Sequence, residues 1–250
     1  MFVAKTRSPE EWKAITSAIS TLVDEATFEA SVEGISFRGM DPSHVALIDI
    51  HWPNSAFEGY KCDTALKFGV RIDELSKLIK RADKKDAIEV TVGDDSMLYI
   101  KISNGYRREY KMRLIESSTS STPLPKLNFN SKVILTSGAF DKILSDIQVV
   151  SEYVSIESES KKVQFIGKGD SGEADIILES GNEGLEELKV EENSKATYSL
   201  DYLSKITKAV TSTVGSSVAA EYSSKMPLRL EFRVANVGRI HFYLAPRVQD

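Results

Sequence analysis

The sequence contains two nearly matching stretches, Ile72–Arg81 (IDELSKLIKR) and Leu200–Ala209 (LDYLSKITKA). When the second is laid on the first, one Asp, one Leu, one Ser and two Lys coincide, and Asp201 follows Asp73 by 128 positions, about half of the chain. Each stretch combines an acidic start, an apolar stripe and two lysines three residues apart, which is typical of a short helix with one basic face. The first of these helices is predicted from about Asp73 to Ala82. The offset indicates that a unit containing this helix was duplicated.

The same offset aligns other apolar positions of the two halves. The first helix, predicted from Ser8 and Pro9 to about Val23, has a counterpart in the second half. Short β-type runs follow each first helix, among them Phe57–Leu66 and a hairpin at Asn104–Gly105. A repeat of this length indicates two similar α+β domains rather than a solenoid. The aligned helix positions are Trp12 with Phe140, Ile15 with Ile143, and Ile19 with Ile147.

A polar run separates the two halves. Ser117–Thr122 is a low-complexity Ser/Thr stretch, and Pro123-Leu124-Pro125 then favours an extended chain with one apolar residue held between two prolines. We therefore predict an N-terminal domain over 1–116, a connecting loop over 117–129 and a C-terminal domain over 130–250.

Composition narrows the class of protein. The chain has 250 residues with 41% hydrophobic and 28% charged residues, which fits a folded globular protein and excludes disordered and fibrous classes. The single cysteine, Cys62, excludes an internal disulfide framework and a cysteine-based zinc site and suggests a reducing, intracellular compartment. No run approaches the length of a membrane span. The net charge of −5 matches the excess of acidic residues in Glu179–Glu192, so a local basic face is still compatible with it.

No set of residues predicts catalysis, a cofactor or a metal ion. Gly167–Gly172 matches the GxGxxG fingerprint of dinucleotide-binding enzymes, but strand-like residues lie on both sides, so we predict a hairpin loop; a nucleotide-binding enzyme is the alternative. The histidines His44, His51 and His241 are scattered, without the spacing of metal ligands. The lysine helices have two interpretations, a solvated charged face or a repeated contact with a phosphate backbone.

Several motifs together resemble the proliferating cell nuclear antigen family. They are Met40–Leu47 (MDPSHVAL), Tyr60–Asp63 (YKCD), the lysine helix, the linker and the ending Tyr243–Arg247 (YLAPR). The resemblance covers essentially the whole chain, and the short C-terminal end makes it look archaeal. It implies an α+β DNA clamp fold with two similar domains, each with two helices packed on antiparallel sheet, and three subunits closing a ring.

The function implied by the resemblance is that of a processivity factor, not an enzyme. The ring encircles double-stranded DNA without reading its sequence, and we expect a homotrimer; one subunit of a heterotrimeric clamp is the closer alternative. The expected location is cytoplasmic and nucleoid-associated in an archaeon, or nuclear in a eukaryote. Ser20, Ser145 and Asp201 depart from basic residues frequent in the family. The residues expected to face DNA are Lys13, Lys77, Lys80, Arg81, Lys84, Lys142, Lys205 and Lys208.

The resemblance also implies two kinds of protein contact. DNA polymerase, flap endonuclease, DNA ligase and the ATP-dependent clamp loader would bind through short peptides that have a glutamine with hydrophobic and aromatic anchors. The expected peptide pocket consists of Met40, His44, Val45, Leu47, Leu124, Pro125, Pro227, Tyr243, Ala245, Pro246 and Arg247. Subunits would join edge to edge through Tyr110, Lys111, Arg113 and Ile115 of one chain and Ala174, Asp175, Ile176, Ile177 and Glu179 of the next.

Overall fold

The computed structural model describes residues 1–116, 122–211 and 215–248. These residues cluster into two compact units. The first unit comprises Met1–Pro42, Ile48–Thr122 and Arg233–Ile240, and the second comprises Ser43–Leu47, Pro123–Phe232 and His241–Asp250.

The first half of the chain has this order of elements: β1 (Phe2–Thr6), α1 (Glu10–Ser20), β2 (Glu25–Ser31), β3 (Gly34–Met40), β4 (Ala46–Pro53), β5 (Gly59–Cys62), β6 (Leu66–Arg71), α2 (Ile72–Ile79), β7 (Ala87–Val92), β8 (Met97–Asn104) and β9 (Tyr106–Arg113). A 3-10 turn, Asn54–Ala56, follows β4. The second half continues with β10 (Ser131–Thr136), α3 (Ser137–Gln148), β11 (Tyr153–Glu159), β12 (Lys162–Gly169), β13 (Gly172–Glu179), β14 (Leu185–Val190), β15 (Ser194–Ser199), α4 (Leu200–Thr211), β16 (Ser217–Tyr222), β17 (Leu228–Val234) and β18 (Gly238–Leu244).

The strand orders of the two halves are the same. The first half has the orders β5-β1-β7-β8-β9 and β4-β3-β2-β6, and the second has β14-β10-β16-β17-β18 and β13-β12-β11-β15. Moreover, β11 and β15 begin 128 residues after β2 and β6 and have the same lengths. The duplication inferred from the lysine helices is therefore a duplication of the whole arrangement of strands and helices.

Each helix pair packs through the apolar positions that the offset aligned. In the first unit, α1 buries Trp12, Ile15 and Ile19 and lies against α2. The ring of Trp12 meets Trp52 edge to face at 4.8 Å between centroids. In the second unit, the matching positions of α3 are also buried, and α3 packs on α4. Each large apolar side chain buried in this way contributes about 1.5–3 kcal/mol to stability.

Three predicted boundaries were wrong. Helix α1 ends at Ser20 rather than near Val23. The predicted strand Phe57–Leu66 contains only β5 and the first residue of β6, because the chain bends at Asp63. Helix α2, predicted to reach Ala82, ends at Ile79.

The early end of α2 has a local cause. The carboxylate of Asp86 is buried and accepts a hydrogen bond from the backbone N–H of Asp83 at 2.8 Å, as well as one from the guanidinium of Arg108. A buried carboxylate needs such partners, and the tight turn that supplies them is incompatible with a continued helix. None of the helices in the described ranges is long and apolar enough to span a membrane.

Candidate functional site

The solvent-facing sides of α1 and α2 combine lysines with nearby acidic residues. On α2, Lys77 Nζ lies 3.0 Å from Asp73 Oδ2, one helical turn earlier. This hydrogen bond is the largest cause that lowers the pKa of Asp73 below its ordinary value. On α1, Lys13 Nζ lies 3.4 Å from Glu10 Oε1. Both lysines are thus partly neutralised by carboxylates of their own helix.

The second unit repeats this arrangement on α4. Lys205 Nζ lies 2.7 Å from Asp201 Oδ2, at the positions that the offset aligns with Lys77 and Asp73. Lys208 lies one turn further along the same helix and is exposed. The equivalent Lys80 is not within α2 but caps its C-terminus with helical dihedral angles. The two lysine pairs are therefore equivalent in sequence position, but α2 is shorter than α4 and ends before its second lysine.

The remaining residues expected to face DNA carry unpaired charge. No carboxylate of the described ranges comes within 4.0 Å of their cationic groups, and all of them are exposed. These residues are Lys80, Arg81, Lys84, Lys142 and Lys208.

A C-terminal segment of the second unit is fixed on both sides of a proline. The backbone N–H of Ala245 donates to the carbonyl of Val45 at 2.9 Å, and that of Arg247 donates to the carbonyl of Thr197 at 2.7 Å. Pro246, which has no N–H to satisfy, lies half-buried between them. The structure thus brings Val45 next to Ala245, Pro246 and Arg247 of the expected peptide pocket.

The described part of the predicted connecting loop is held at both of its ends. Thr122 accepts a hydrogen bond from Arg38 at 3.2 Å within the first unit. In the second unit, Ser223 Oγ donates to the carbonyl of Asn128 at 3.0 Å. Residues 117–121 of this predicted loop lie outside the described residues. Between the two attachments, Pro123, Leu124 and Pro125 are exposed, and 37% of the surface of Leu124 is accessible.

The other residues of the expected peptide pocket differ in accessibility. Leu47 and Tyr243 are buried, with 4% and 9% of their surface accessible, so each offers little area to a partner. Pro227 is half-buried in the second unit, and Met40 is half-buried at the end of β3 in the first. His44 is exposed with φ of 59°, a left-handed conformation that a non-glycine residue adopts only under local constraint.

The predicted interface segments lie on terminal strands of two sheets. β9 ends the order of the first unit and has four basic residues and one acidic residue, whereas β13 ends an order of the second unit and has three acidic residues and no basic one. Ile115 falls beyond β9, and its backbone N–H donates to the carbonyl of Gly69 at 3.0 Å. The outward-pointing side chains include Lys111 and Arg113 on β9 and Asp175, Ile177 and Glu179 on β13.

The GxGxxG stretch forms the predicted hairpin. β12 and β13 are antiparallel, and Gly169 pairs with Gly172 across the turn. A Cβ atom at Gly167 would lie 2.2 Å from Ile147 of α3, and one at Gly169 would lie 1.8 Å from the carbonyl oxygen of Val150. These two glycines therefore let α3 approach the sheet closely, and no helix follows them as a dinucleotide fold requires.

Comparison with family models identifies both halves. The model of the proliferating cell nuclear antigen N-terminal domain matches residues 1–120, and that of the C-terminal domain matches residues 123–247. The chain belongs to the proliferating cell nuclear antigen family. The family resemblance inferred from the sequence motifs is thus confirmed.

Archaeal members of the proliferating cell nuclear antigen family are similar over the whole chain. The protein from Nitrosopumilus maritimus named DNA polymerase sliding clamp is 61% identical over 249 residues, covering 100% of this chain and 99% of that protein. The protein of the same name from Cenarchaeum symbiosum is 60% identical over the same shares. A crystal structure of the antigen from Thermococcus kodakaraensis matches with a TM-score of 0.94 at 24% identity, covering 99% of this chain and 100% of that one. The α+β clamp fold with two similar domains is therefore confirmed.

Four residues near the fixed C-terminal segment were not predicted by sequence reasoning. Tyr153, Lys168, Lys195 and Thr197 line a cavity beside Arg247 in the second unit. A comparison of the two repeats would have indicated one of them, because Lys168 stands 128 positions after Met40, an uncharged residue.

Proposed function

We propose that this chain is a sliding clamp, a processivity factor that encircles duplex DNA and tethers DNA polymerase to it. The observation that carries the proposal is the 60–61% identity, over the full length, to two archaeal proteins named DNA polymerase sliding clamp. The function needs no catalytic residues, because a closed ring holds DNA by topology. Weak phosphate contacts then suffice, and they allow the ring to slide.

The open edges of opposite charge support a ring of identical subunits. Because β9 is basic and β13 is acidic, the β9 edge of one copy complements the β13 edge of the next. Their equivalents in the other repeat, β18 and β4, are already hydrogen-bonded neighbours in this chain. A head-to-tail contact of this kind closes into a ring when its rotation allows. Since both edges lie on one chain, copies of this chain can associate head to tail with one another, as a homotrimer requires.

The helix faces are the proposed DNA contacts. Exposed lysines on α2 and α4 and on the turn after α2 supply point charges without the rigid fork that base recognition by arginine uses. Two of the lysines are partly neutralised by Asp73 and Asp201. This arrangement suits contacts that hold DNA loosely in any register.

The fixed C-terminal segment and the connecting loop are the proposed docking surface for partners. Leu124 and Pro246 offer apolar area on chain segments that lose little entropy on binding. Polymerase, flap endonuclease, ligase and the clamp loader are the proposed partners, each through a short peptide. In an archaeal cell the clamp would be nucleoid-associated.

Two experiments test the proposal. The mass in solution should be that of three chains; a monomer by itself would support the heterotrimer. After loading by an ATP-dependent clamp loader, the protein should remain on circular DNA through gel filtration and should be lost when that DNA is cut once. Equal loss from circular and linear DNA would rule out the topological function.

A further inference from the structure

The second unit has a basic cavity beside its fixed C-terminal segment. The cavity has a volume of about 320 Å³, and its charged lining residues are Glu157, Lys168, Lys195 and Arg247. The guanidinium carbon of Arg247 lies 3.9 Å from the centroid of the Tyr153 ring, which holds the side chain over the cavity. The basic cavity is notable in a protein whose net charge is −5.

The cations of the basic cavity are not equally neutralised. Lys195 Nζ lies 2.6 Å from Glu157 Oε1, and Lys168 Nζ lies 3.1 Å from Glu173 Oε1. Arg247 has no carboxylate within 4.0 Å among the residues that the structure describes. A planar guanidinium that is already oriented by an aromatic ring is suited to bind a carboxylate through two parallel hydrogen bonds.

The first repeat supplies an internal comparison for this site. It retains the ion pair, since Lys67 Nζ lies 2.5 Å from Glu29 Oε1 at the positions equivalent to Lys195 and Glu157. The backbone attachment is also retained, because Ile115 donates to Gly69 as Arg247 donates to Thr197. The ion pair and the attachment therefore belong to the shared scaffold.

The other charges of the basic cavity belong to the second repeat alone. In the first repeat, Ile115 makes the backbone hydrogen bond that Arg247 makes in the second, so an apolar residue stands in place of the arginine. Met40 stands 128 positions before Lys168, so an uncharged residue stands in place of this lysine. Glu25 occupies the position equivalent to Tyr153, so the first repeat also lacks the ring that orients the guanidinium. The two repeats have thus diverged in the features that would bind an anion.

We propose that the basic cavity binds an acidic side chain of the partner peptide, next to the anchors that dock around Ala245 and Pro246. The inference rests on the proposed function and adds a specificity element to it. Arg247 follows Pro246 directly, so a peptide lying on this proline reaches the cavity with a neighbouring residue. The cavity then selects partners that have Asp or Glu flanking their apolar anchors.

The test uses three fluorescein-labelled synthetic peptides and anisotropy titrations with the full-length protein. All three have a glutamine with aliphatic and aromatic anchors; one has an Asp-Glu-Asp triplet before the anchors, one has it after them, and one has Asn-Gln-Asn on both sides. One acidic peptide should bind about tenfold more tightly than the neutral peptide, the gain expected for a charge-assisted hydrogen bond. The advantage should shrink as salt is raised.

Variants assign the advantage to the basic cavity. Arg247→Gln and Lys168→Met, which introduces the residue of the first repeat, should each reduce the ratio of the neutral to the acidic dissociation constant towards one. Lys67→Gln, at the first-repeat position equivalent to Lys195 and outside the cavity, should leave the ratio unchanged. Equal affinities of all three peptides for the unaltered protein, or a ratio that persists in Arg247→Gln, would overturn the inference while leaving the clamp function in place. If no peptide binds, the proposed docking surface fails, and the inference fails with it.

Discussion

Lys205 Nζ lies 2.7 Å from Asp201 Oδ2, on the face of α4 that we propose to line DNA. The same pair recurs on α2 between Lys77 and Asp73. Exposed pairs of this kind contribute little to stability, because water and salt screen them. Their main effect on function is then to lower the positive charge that DNA meets, which favours sliding over tight binding.

Removing both acids should therefore tighten DNA binding. We expect the double variant Asp73→Asn with Asp201→Asn to bind linear duplex DNA more strongly and to diffuse more slowly along it. The slope of log affinity against log salt should steepen by about 1–2 units, because each added phosphate contact contributes about 0.9. Anisotropy titrations from low to high salt and single-molecule tracking provide the measurement.

A matched control separates the helix faces from net charge. Glu29→Gln with Glu157→Gln changes the charge by the same amount and also frees two lysines, Lys67 and Lys195, but these lie on strands. An equal gain in DNA affinity for both double variants would contradict the assignment of the helices.

The pair between Lys77 and Asp73 should be insensitive to pH near neutrality. The hydrogen bond from Lys77 lowers the pKa of Asp73 below its ordinary value, so the carboxylate is ionised at neutral pH, and the contribution of the pair to stability is lost only as the pH falls through the lowered pKa. The effect of Asp73→Asn should thus be constant from about pH 6 to 8.

Charge reversal on the sheet edges should dissociate the proposed ring. Lys111→Glu with Arg113→Glu places acidic side chains opposite the acidic β13, and like charges across an interface cost several kcal/mol. Light scattering after gel filtration should then show single chains. Adding Asp175→Lys and Glu179→Lys to the same chain should restore the trimer. A trimer that survives the first pair of changes would rule out the β9–β13 contact.

Truncating the exposed apolar residue of the connecting loop should weaken partner binding. We expect Leu124→Ala to raise the dissociation constant of an anchor peptide about tenfold, because the removed methyl groups no longer bury apolar area. Pro246→Ala should act in the same direction by loosening the fixed segment. Val32→Ala, at an apolar residue with 65% of its surface exposed in the first unit, is the control and should leave affinity unchanged. Trimer mass should be unaffected in each case, and unchanged affinity of Leu124→Ala would remove the docking assignment.

The glycines of the GxGxxG stretch should prove structural. Gly167→Ala would bring a Cβ within 2.2 Å of Ile147, so we expect a loss of about 1–3 kcal/mol in the free energy of unfolding. Gly138→Ala, within α3 where nothing lies within 4 Å of the added Cβ, should instead stabilise by about 0.5–1 kcal/mol. Chemical denaturation of both variants measures the difference. Saturable binding of a dinucleotide that is lost in Gly167→Ala would favour the enzyme alternative.

The sequence predicted the duplication because helix and strand periodicity is a local property of the chain. The lysine helices, the apolar positions of α1 and α3, and the hairpin at Gly167–Gly172 were all confirmed. The end of α2 was missed because Asp86 is buried, accepting hydrogen bonds from the nearby backbone of Asp83 and from Arg108 of β9, and sequence periodicity does not reveal this burial. Burial of Leu47 and Tyr243 was likewise set by packing that composition does not reveal.

By itself, the sequence determined the repeat, the fold class and the family, because these depend on periodicity and on motifs that are contiguous in the chain. Only the tertiary structure decided which charges from distant parts of the chain meet. It paired Lys195 with Glu157, joined Arg247 to Thr197 and left the guanidinium of Arg247 over Tyr153 facing the cavity. Contacts between residues 38 to 94 positions apart depend on how strands are ordered in a sheet, and no local pattern encodes that order.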